Sequence, residues 1–176
     1  MDIISDDCPR FLITALNSWV DYMSEIEWGY FSSSSPNNEI PDLLDRGFET
    51  LFLSHIVCDR LRFTDCVLPF VENVTGKKVI LPTSTFSSDY ADVWVNRYFQ
   101  GNETPLHRHA YDISGIIMLK IPDKSPILEF VTENKTYRPL QEEGKIFLFP
   151  SDLQHKVYPQ KITEERRTLS FNLKIV

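Results

Sequence analysis

The sequence has little or none of several features that define whole classes of protein. It contains only three cysteines, Cys8, Cys58 and Cys66, without CxxC spacing, which excludes a disulfide scaffold and predicts free thiols in a reducing compartment. Its longest apolar runs, such as 116–119 and 146–149, are far shorter than the roughly 20 residues of a membrane-spanning helix. The N-terminus is acidic where a secretory signal would be basic. We therefore expect no export signal, no membrane partner and a cytoplasmic location.

Positive charge is also in the minority. The chain carries 18 Lys and Arg residues against 25 Asp and Glu residues, a net charge of −7, and this negative excess repels the phosphate backbone of nucleic acids. We therefore expect no nucleic-acid partner. The sequence does contain 42% hydrophobic residues in a chain of 176. This is enough for one soluble domain with a sizeable core, and it excludes a disordered or collagen-like chain.

An amphipathic helix is predicted near the N-terminus, between Pro9 and Trp28. Apolar residues recur there at intervals of three and four, and their face is wide and aromatic, as is typical of a helix that covers a sheet. The polar stretch 31–38 predicts a surface loop. We therefore predict a helical flank and loop over residues 1–48 and a β-rich region over 49–176, within one structural domain. The apolar positions of the helix are Leu12, Leu16, Trp19, Met23 and Ile26.

Short β-branched and aromatic runs follow a predicted helical turn at Leu43 and Leu44. Turn-forming residues separate these runs. No long helix is expected between them, which favours an all-β sandwich or barrel over an α/β fold. The predicted strands are 51–57, 78–81, 91–99, 114–121, 127–132, 136–139, 145–149, 155–158 and 167–175.

Three of the four histidines lie where predicted strands meet turns. Residues two apart on an extended segment point to the same side, so His107 and His109 can converge on one point. His155 opens a later strand that can return the chain beside this pair. Three imidazoles with open positions would form a catalytic metal site. The alternative is that each histidine is a hydrogen-bonded surface residue.

The last predicted strand has one wholly polar face. Alternation places Arg166, Thr168, Ser170 and Asn172 on this face, and Arg167 on the other. If the polar face looks into the barrel, a buried arginine needs an anionic partner. A guanidinium with a hydroxyl two residues further on suits a carboxylate. The alternative is a polar face that is merely solvated.

Together these motifs resemble the 2-oxoglutarate and iron(II)-dependent oxygenases, in particular a bacterial and phage oxygenase group. The resemblance covers about residues 50–176 and implies a double-stranded β-helix, or jelly roll, that holds iron at its open end. The matching segments are Trp94-Val95-Asn96, His107-Arg108-His109, Ser114-Gly115-Ile116-Ile117-Met118-Leu119, Phe149-Pro150 before His155, and Arg166-Arg167-Thr168-Leu169-Ser170-Phe171-Asn172.

The resemblance also implies a reaction and a set of site residues. The implied enzyme is a dioxygenase, a hydroxylase that uses Fe(II) and 2-oxoglutarate to hydroxylate a small-molecule or polypeptide substrate with release of succinate and CO2. His107 and His155 would be iron ligands, and Arg166 with Thr168 would hold the distal carboxylate of 2-oxoglutarate. The usual third iron ligand is a carboxylate, whereas this sequence has His109 there. Either His109 is the third ligand or a carboxylate such as Asp112 is.

Two other interpretations remain open. The spacing from Gly101 to the HxH pair and from Gly144 to His155 is similar to that of cupins, which share the barrel. One alternative is therefore a cupin-type metal enzyme that uses no 2-oxoglutarate, and the other is a non-catalytic jelly-roll binding module. Neither needs Arg166 and Thr168 directed at the three histidines, so this pair separates the interpretations.

Overall fold

The structure is a computed structural model that describes residues 2–26, 49–85, 87–122, 127–133 and 135–176. The eleven β-strands of the described residues lie in two antiparallel sheets, a major sheet of seven strands and a minor sheet of four. The loop predicted at 31–38 and the helical turn predicted at Leu43 and Leu44 fall outside the described residues.

The major sheet has the strand order β1-β9-β6-β11-β4-β2, with β3 paired to the end of β11. All of these pairs are antiparallel. The strands are β1 (Ile4–Asp7), β2 (Glu49–Ser54), β3 (Val79–Ile80), β4 (Tyr90–Tyr98), β6 (Ile113–Lys120), β9 (Lys145–Pro150) and β11 (Arg166–Ile175).

The minor sheet has the strand order β5-β10-β7-β8. Its strands are β5 (Thr104–His107), β7 (Leu128–Val131), β8 (Thr136–Tyr137) and β10 (Gln154–Val157). From β4 onwards the chain passes back and forth between the two sheets, with β4, β6, β9 and β11 in one and the intervening strands in the other. This alternation is the winding of a jelly roll.

Three helices complete the described structure: α1 (Arg10–Ile26), α2 (His55–Arg60) and α3 (Phe63–Thr75). The predicted N-terminal helix is confirmed, and its buried residues Leu12, Leu16 and Val20 belong to the core cluster that also contains Leu169 and Phe171 of the major sheet. None of the described helices is both long and apolar enough to cross a bilayer.

Two elements correct the sequence-based expectations for residues 51–77. The strand predicted at 51–57 ends at Ser54, whose side chain accepts the Val57 N–H at 3.3 Å and so caps α2 instead. The expectation of no long helix among the strands is wrong, because α3 has 13 residues. Its β-branched and aromatic composition and its internal Pro69 conceal a helical face formed by Phe63, Val67 and Val71.

Two short edge strands were also missed. Strand β1 pairs with β9, but its exposed, acidic sequence gives no β signal. Strand β5 contains Pro105, which argues against a strand but is tolerated because β5 forms one edge of the minor sheet. Since β1 joins the major sheet, the first residues belong to its hydrogen-bonded framework, and the division at residues 48 and 49 stays a prediction.

The two faces of the major sheet pack against different partners. Its outer face lies under the helices and contains Leu169, Phe171 and Leu173 of β11. Its inner face looks onto the minor sheet, where Met118 and Phe147 pack with Phe130 and Val157.

Gly115 explains the glycine of the S-G motif. It pairs with Phe171 across β6 and β11, and a Cβ at this position would overlap the Phe171 ring. The glycine therefore leaves the space that this ring occupies.

Candidate functional site

The structure brings His107, His109 and His155 together between the two sheets. His107 ends β5 and pairs with His155 on β10. The backbone N–H of His109 donates to the Ser151 carbonyl at 2.8 Å, which holds the segment after β5 beside the turn before β10. Each side chain offers a nitrogen, and these atoms all lie within 4.8 Å of one another. The predicted convergence is therefore confirmed, and the cluster could hold a metal ion.

Backbone carbonyls orient two of the three rings. Nδ1 of His107 lies 2.8 Å from the Pro105 carbonyl, and Nδ1 of His155 lies 3.0 Å from the Leu153 carbonyl. A carbonyl only accepts, so each Nδ1 is the donor in these contacts, and Nε2 is the ring nitrogen left to face a metal. A fixed tautomer of this kind is usual for histidines that bind metals through the other nitrogen.

Burial keeps two of the imidazoles neutral. Burial, with a smaller contribution from the neighbouring His107, lowers the pKa of His155 to about 3 and that of His109 to about 4. Both rings are therefore neutral near neutral pH. Neutral imidazole is the form that binds a metal ion without first releasing a proton.

Asp112, the alternative third ligand, points elsewhere. Its Oδ2 accepts the backbone N–H of Ile175 at 2.9 Å, and it does not belong to the cluster. The structure thus places His109, and not Asp112, beside His107 and His155.

Arg166 lies on the inner face of β11, as alternation predicts, and is only 2% exposed. Its Nη2 donates to Oε1 of Gln141 at 2.6 Å and lies 3.7 Å from Sδ of Met118. Its guanidinium carbon is 5.2 Å from the Tyr98 ring centroid. Burial lowers the pKa of Arg166 to about 10, so the group still carries its charge at neutral pH.

Two of the Arg166 nitrogens have no hydrogen-bond partner among the described residues. Nε and Nη1 are both buried and unpaired in this sense, as is Nε2 of the neighbouring Gln141. Buried donors are normally satisfied, because leaving one without an acceptor costs free energy. These donors of Arg166 and Gln141, together called the Arg166 pocket, therefore suit an anionic ligand with several acceptor oxygens, such as a carboxylate. Thr168, 3% exposed, lies on the same inner face.

Two residues at this pocket were not predicted from the sequence. Tyr98 is 2% exposed, and its hydroxyl lies 2.7 Å from that of Thr104. Tyr98 shares a face of β4 with Trp94 and Asn96, so alternation along the W-x-N motif could have found it. Gln141 lies outside any strand, where no periodic signal exists.

A chain of polar side chains connects the inner face to the histidine cluster. The Ser114 hydroxyl donates to Oδ1 of Asn172 at 2.6 Å and lies 2.8 Å from the Ser151 hydroxyl. The Ser151 carbonyl in turn accepts the His109 N–H. The resemblance drew attention to Ser114 and Asn172 as parts of motifs without giving them a role. In the structure they support the turn that positions His109.

Aromatic side chains surround the cluster. The Trp94 and His109 ring centroids are 5.7 Å apart, and those of Phe149 and His155 are 4.9 Å apart. Phe52 lies 5.8 Å from Trp94. Trp94 and Phe149 thus place apolar rings directly beside His109 and His155.

A family model described as "Putative 2OG-Fe(II) oxygenase" matches residues 131–172, which include His155, Arg166 and Thr168. The resemblance to 2-oxoglutarate and iron(II)-dependent oxygenases is confirmed. The matching family model describes oxygenases that use Fe(II) and 2-oxoglutarate, and the histidine cluster of this chain could hold a metal ion. None of the curated protein sequences compared with this chain is significantly similar to it.

Solved oxygenase structures share the fold. A prolyl-4-hydroxylase from Pseudomonas putida has a TM-score of 0.65 and 16% identity over 98% of this chain and 91% of its own. A prolyl hydroxylase from Trichoplax adhaerens, solved with a hypoxia inducible factor peptide fragment, has a TM-score of 0.68 and 16% identity over 98% of this chain and 82% of its own. An oxidoreductase of the 2OG-Fe(II) oxygenase family from Burkholderia pseudomallei has a TM-score of 0.57 and 11% identity.

The Burkholderia alignment covers 72% of this chain and 66% of that protein, so this chain spans about two thirds of its length. At such identities the likeness is one of fold. It confirms the all-β jelly roll with an N-terminal helical flank.

Proposed function

We propose that the protein is an Fe(II)- and 2-oxoglutarate-dependent dioxygenase that hydroxylates a substrate and releases succinate and CO2. The observation that carries this proposal is the pairing of two features in one inter-sheet space. The three-histidine cluster contacts Phe149 and Phe130, and the buried, uncompensated Arg166 contacts Met118 and Tyr98. All four of these partners belong to the same core cluster.

The histidines suit the proposed metal. His107, His109 and His155 supply three nitrogen ligands, which leaves coordination positions open for other ligands. Iron(II) with 2-oxoglutarate supplies the oxidising chemistry when bound, with dioxygen providing the hydroxyl oxygen of the product. The His107 and His155 carbonyl contacts fix the ring orientations that this binding requires.

The Arg166 pocket suits the distal carboxylate of 2-oxoglutarate. The guanidinium offers two free donors, and Thr168 contributes a hydroxyl on the same face. Tyr98 and Met118 limit access of water to this end, so the charge of Arg166 acts in a medium of low dielectric constant. Trp94 and Phe149 do the same beside the histidines.

The pocket also weighs against the two alternative functions. A cupin-type enzyme without 2-oxoglutarate or a non-catalytic binding module gives Arg166 no ligand, and the fold would then bury an unsatisfied charge without a gain. The substrate is proposed only by class, a small molecule or a polypeptide. The Trichoplax relative, solved with a peptide, supports including polypeptides.

Anaerobic titration tests the proposal. Fe(II) is added to the protein, followed by 2-oxoglutarate, and the visible absorption spectrum is recorded. We expect the charge-transfer band of a 2-oxoglutarate chelate of iron(II), and no such band with succinate, which lacks the 2-oxo group. Iron binding without the band would favour the cupin-type enzyme, and no metal binding at all would favour the binding module.

A further inference from the structure

Gln141 is fully buried beside Arg166, and its two amide atoms are in different situations. It is 0% exposed. Oε1 accepts the Arg166 Nη2–H at 2.6 Å. Nε2 has no hydrogen-bond partner in the part of the chain that the structure describes. The amide is therefore oriented by Arg166 through its oxygen and presents its nitrogen without an acceptor.

The unpaired nitrogen lies close to the unpaired nitrogens of Arg166. The oxygen and nitrogen of one amide are bonded to the same carbon, so Nε2 of Gln141 is within about 5 Å of Nη2 of Arg166. Together with Nε and Nη1 of Arg166, it makes three buried donors without acceptors at one place. Nothing in the described protein satisfies them, whereas one carboxylate offers about four acceptor sites.

The chemical nature of Gln141 also determines the charge of the pocket. A glutamate of the same shape would form an ion pair with Arg166 and cancel its charge. Glutamine holds the guanidinium through a neutral oxygen and leaves that charge to a ligand. The neighbouring Arg167 shows the opposite arrangement, because Glu165 and Asp21 both pair with it.

We infer that Gln141 is a second carboxylate-binding residue of this pocket. Its Nε2 donates to the carboxylate that Arg166 holds, and its neutrality keeps the pocket cationic. The ligand class is a dicarboxylate that buries one terminal carboxylate here. The inference rests on the proposed function in taking 2-oxoglutarate as that ligand.

Two substitutions at Gln141 separate this role from a structural one. Gln141→Glu places an anion against Arg166, so thermal unfolding of the ligand-free protein should occur at a higher temperature than in the parent. The same change should lower the affinity for 2-oxoglutarate at least 100-fold in the anaerobic iron(II) titration. Gln141→Leu should lower this affinity about 10-fold. Iron(II) affinity should stay that of the parent in both variants.

Gln160 supplies the matched control. It is also buried, at 4% exposure, but its Nε2 donates to the Glu164 carbonyl at 3.0 Å. Gln160→Glu replaces that donor with an anion facing a carbonyl, so this variant should unfold at a lower temperature than the parent. It should bind 2-oxoglutarate as the parent does.

The outcomes also distinguish the inference from the proposed function. If the parent forms the charge-transfer band and both Gln141 variants bind 2-oxoglutarate with parental affinity, the inference is wrong and the function stands. If the parent forms no band, but succinate raises its unfolding temperature and Gln141→Glu abolishes that rise, the function is wrong and the dicarboxylate pocket stands. A lower unfolding temperature of ligand-free Gln141→Glu would contradict the charge argument directly.

Discussion

Arg166 and Arg167 are neighbours on β11, and each is 2% exposed, yet their surroundings differ in kind. Arg167 faces the helices, where its nitrogens lie 2.8 Å from Asp21, 2.9 Å from Glu165 and 3.1 Å from the Asn17 side chain. Arg166 faces the minor sheet, where its hydrogen-bond partners are a neutral amide and a thioether. One strand thus carries an arginine paired within the protein on its outer face and, on its inner face, an arginine that we propose binds a ligand.

The two faces of the major sheet differ in what their buried charges contribute. On the outer face the positive charge of Arg167 is compensated by Asp21 and Glu165, so these contacts contribute to stability. On the inner face donors and charge are left for ligands, which costs stability until a ligand binds. Substitutions on the two faces should therefore have opposite effects on ligand binding and on unfolding.

The largest effect is expected from His155→Ala. Removal of the distal imidazole leaves His107 and His109 as an incomplete facial set, so iron(II) binding should be abolished. Metal content after anaerobic loading and desalting measures this directly. Parental iron content in this variant would remove the proposed metal site.

Arg166→Ala should lower the affinity for 2-oxoglutarate by two decades or more, while iron(II) binding stays intact. Removing one partner of a buried, hydrogen-bonded ion pair costs on the order of 3–5 kcal/mol. Arg166→Lys keeps the charge but loses the planar two-point contact, so it should have a smaller effect in the same direction. Titration of the charge-transfer band gives the affinities. If 2-oxoglutarate affinity were unchanged in Arg166→Ala and reduced in Arg167→Ala, the assignment of the two faces would be reversed.

Arg167→Ala should instead lower the free energy of unfolding and leave the affinities for iron(II) and 2-oxoglutarate unchanged. We expect a loss of about 1.5–3 kcal/mol, the range for hydrogen bonds to charged groups. The loss is limited because Arg97 still pairs with Glu165 at 2.5 Å. Urea denaturation of the ligand-free protein measures it. A loss of stability in Arg166→Ala as large as that in Arg167→Ala would erase the contrast between the faces.

The alternation of residues along β11 could be predicted because a strand buried on one face fixes the direction of every side chain. The convergence of His107, His109 and His155 could also be predicted, since their spacing and the return of the chain suffice. Gln141 could not, because it reaches Arg166 from an irregular segment through tertiary contact alone. Helix α3 was missed for a related reason: packing of Phe63, Val67 and Val71 overrides a composition that favours strands.

A smaller effect is expected from Ser114→Ala on the inner face. The change leaves Oδ1 of Asn172 without the Ser114 hydroxyl and loosens Ser151, whose carbonyl holds His109. Mutation of residues that orient metal ligands typically lowers metal affinity 10-fold or more, so iron(II) should bind about 10-fold more weakly to this variant. Ser170→Ala is the control, because the Ser170 hydroxyl lies on the same face but accepts from Asn96. Equal iron affinities in the two variants would show that the polar chain does not position His109.

The smallest effect at the cluster is expected from Asp112→Ala, with His109→Ala as its contrast. Asp112 accepts the Ile175 N–H and lies outside the histidine cluster, so its loss should cost about 1 kcal/mol of stability and leave iron(II) binding unchanged. His109→Ala removes a nitrogen from the cluster and should strongly lower the affinity for iron(II). Both variants are measured by anaerobic metal titration and urea denaturation. If Asp112→Ala weakened iron and His109→Ala did not, the carboxylate would be the third ligand, and the backbone contact to Ile175 would have to give way when the metal binds.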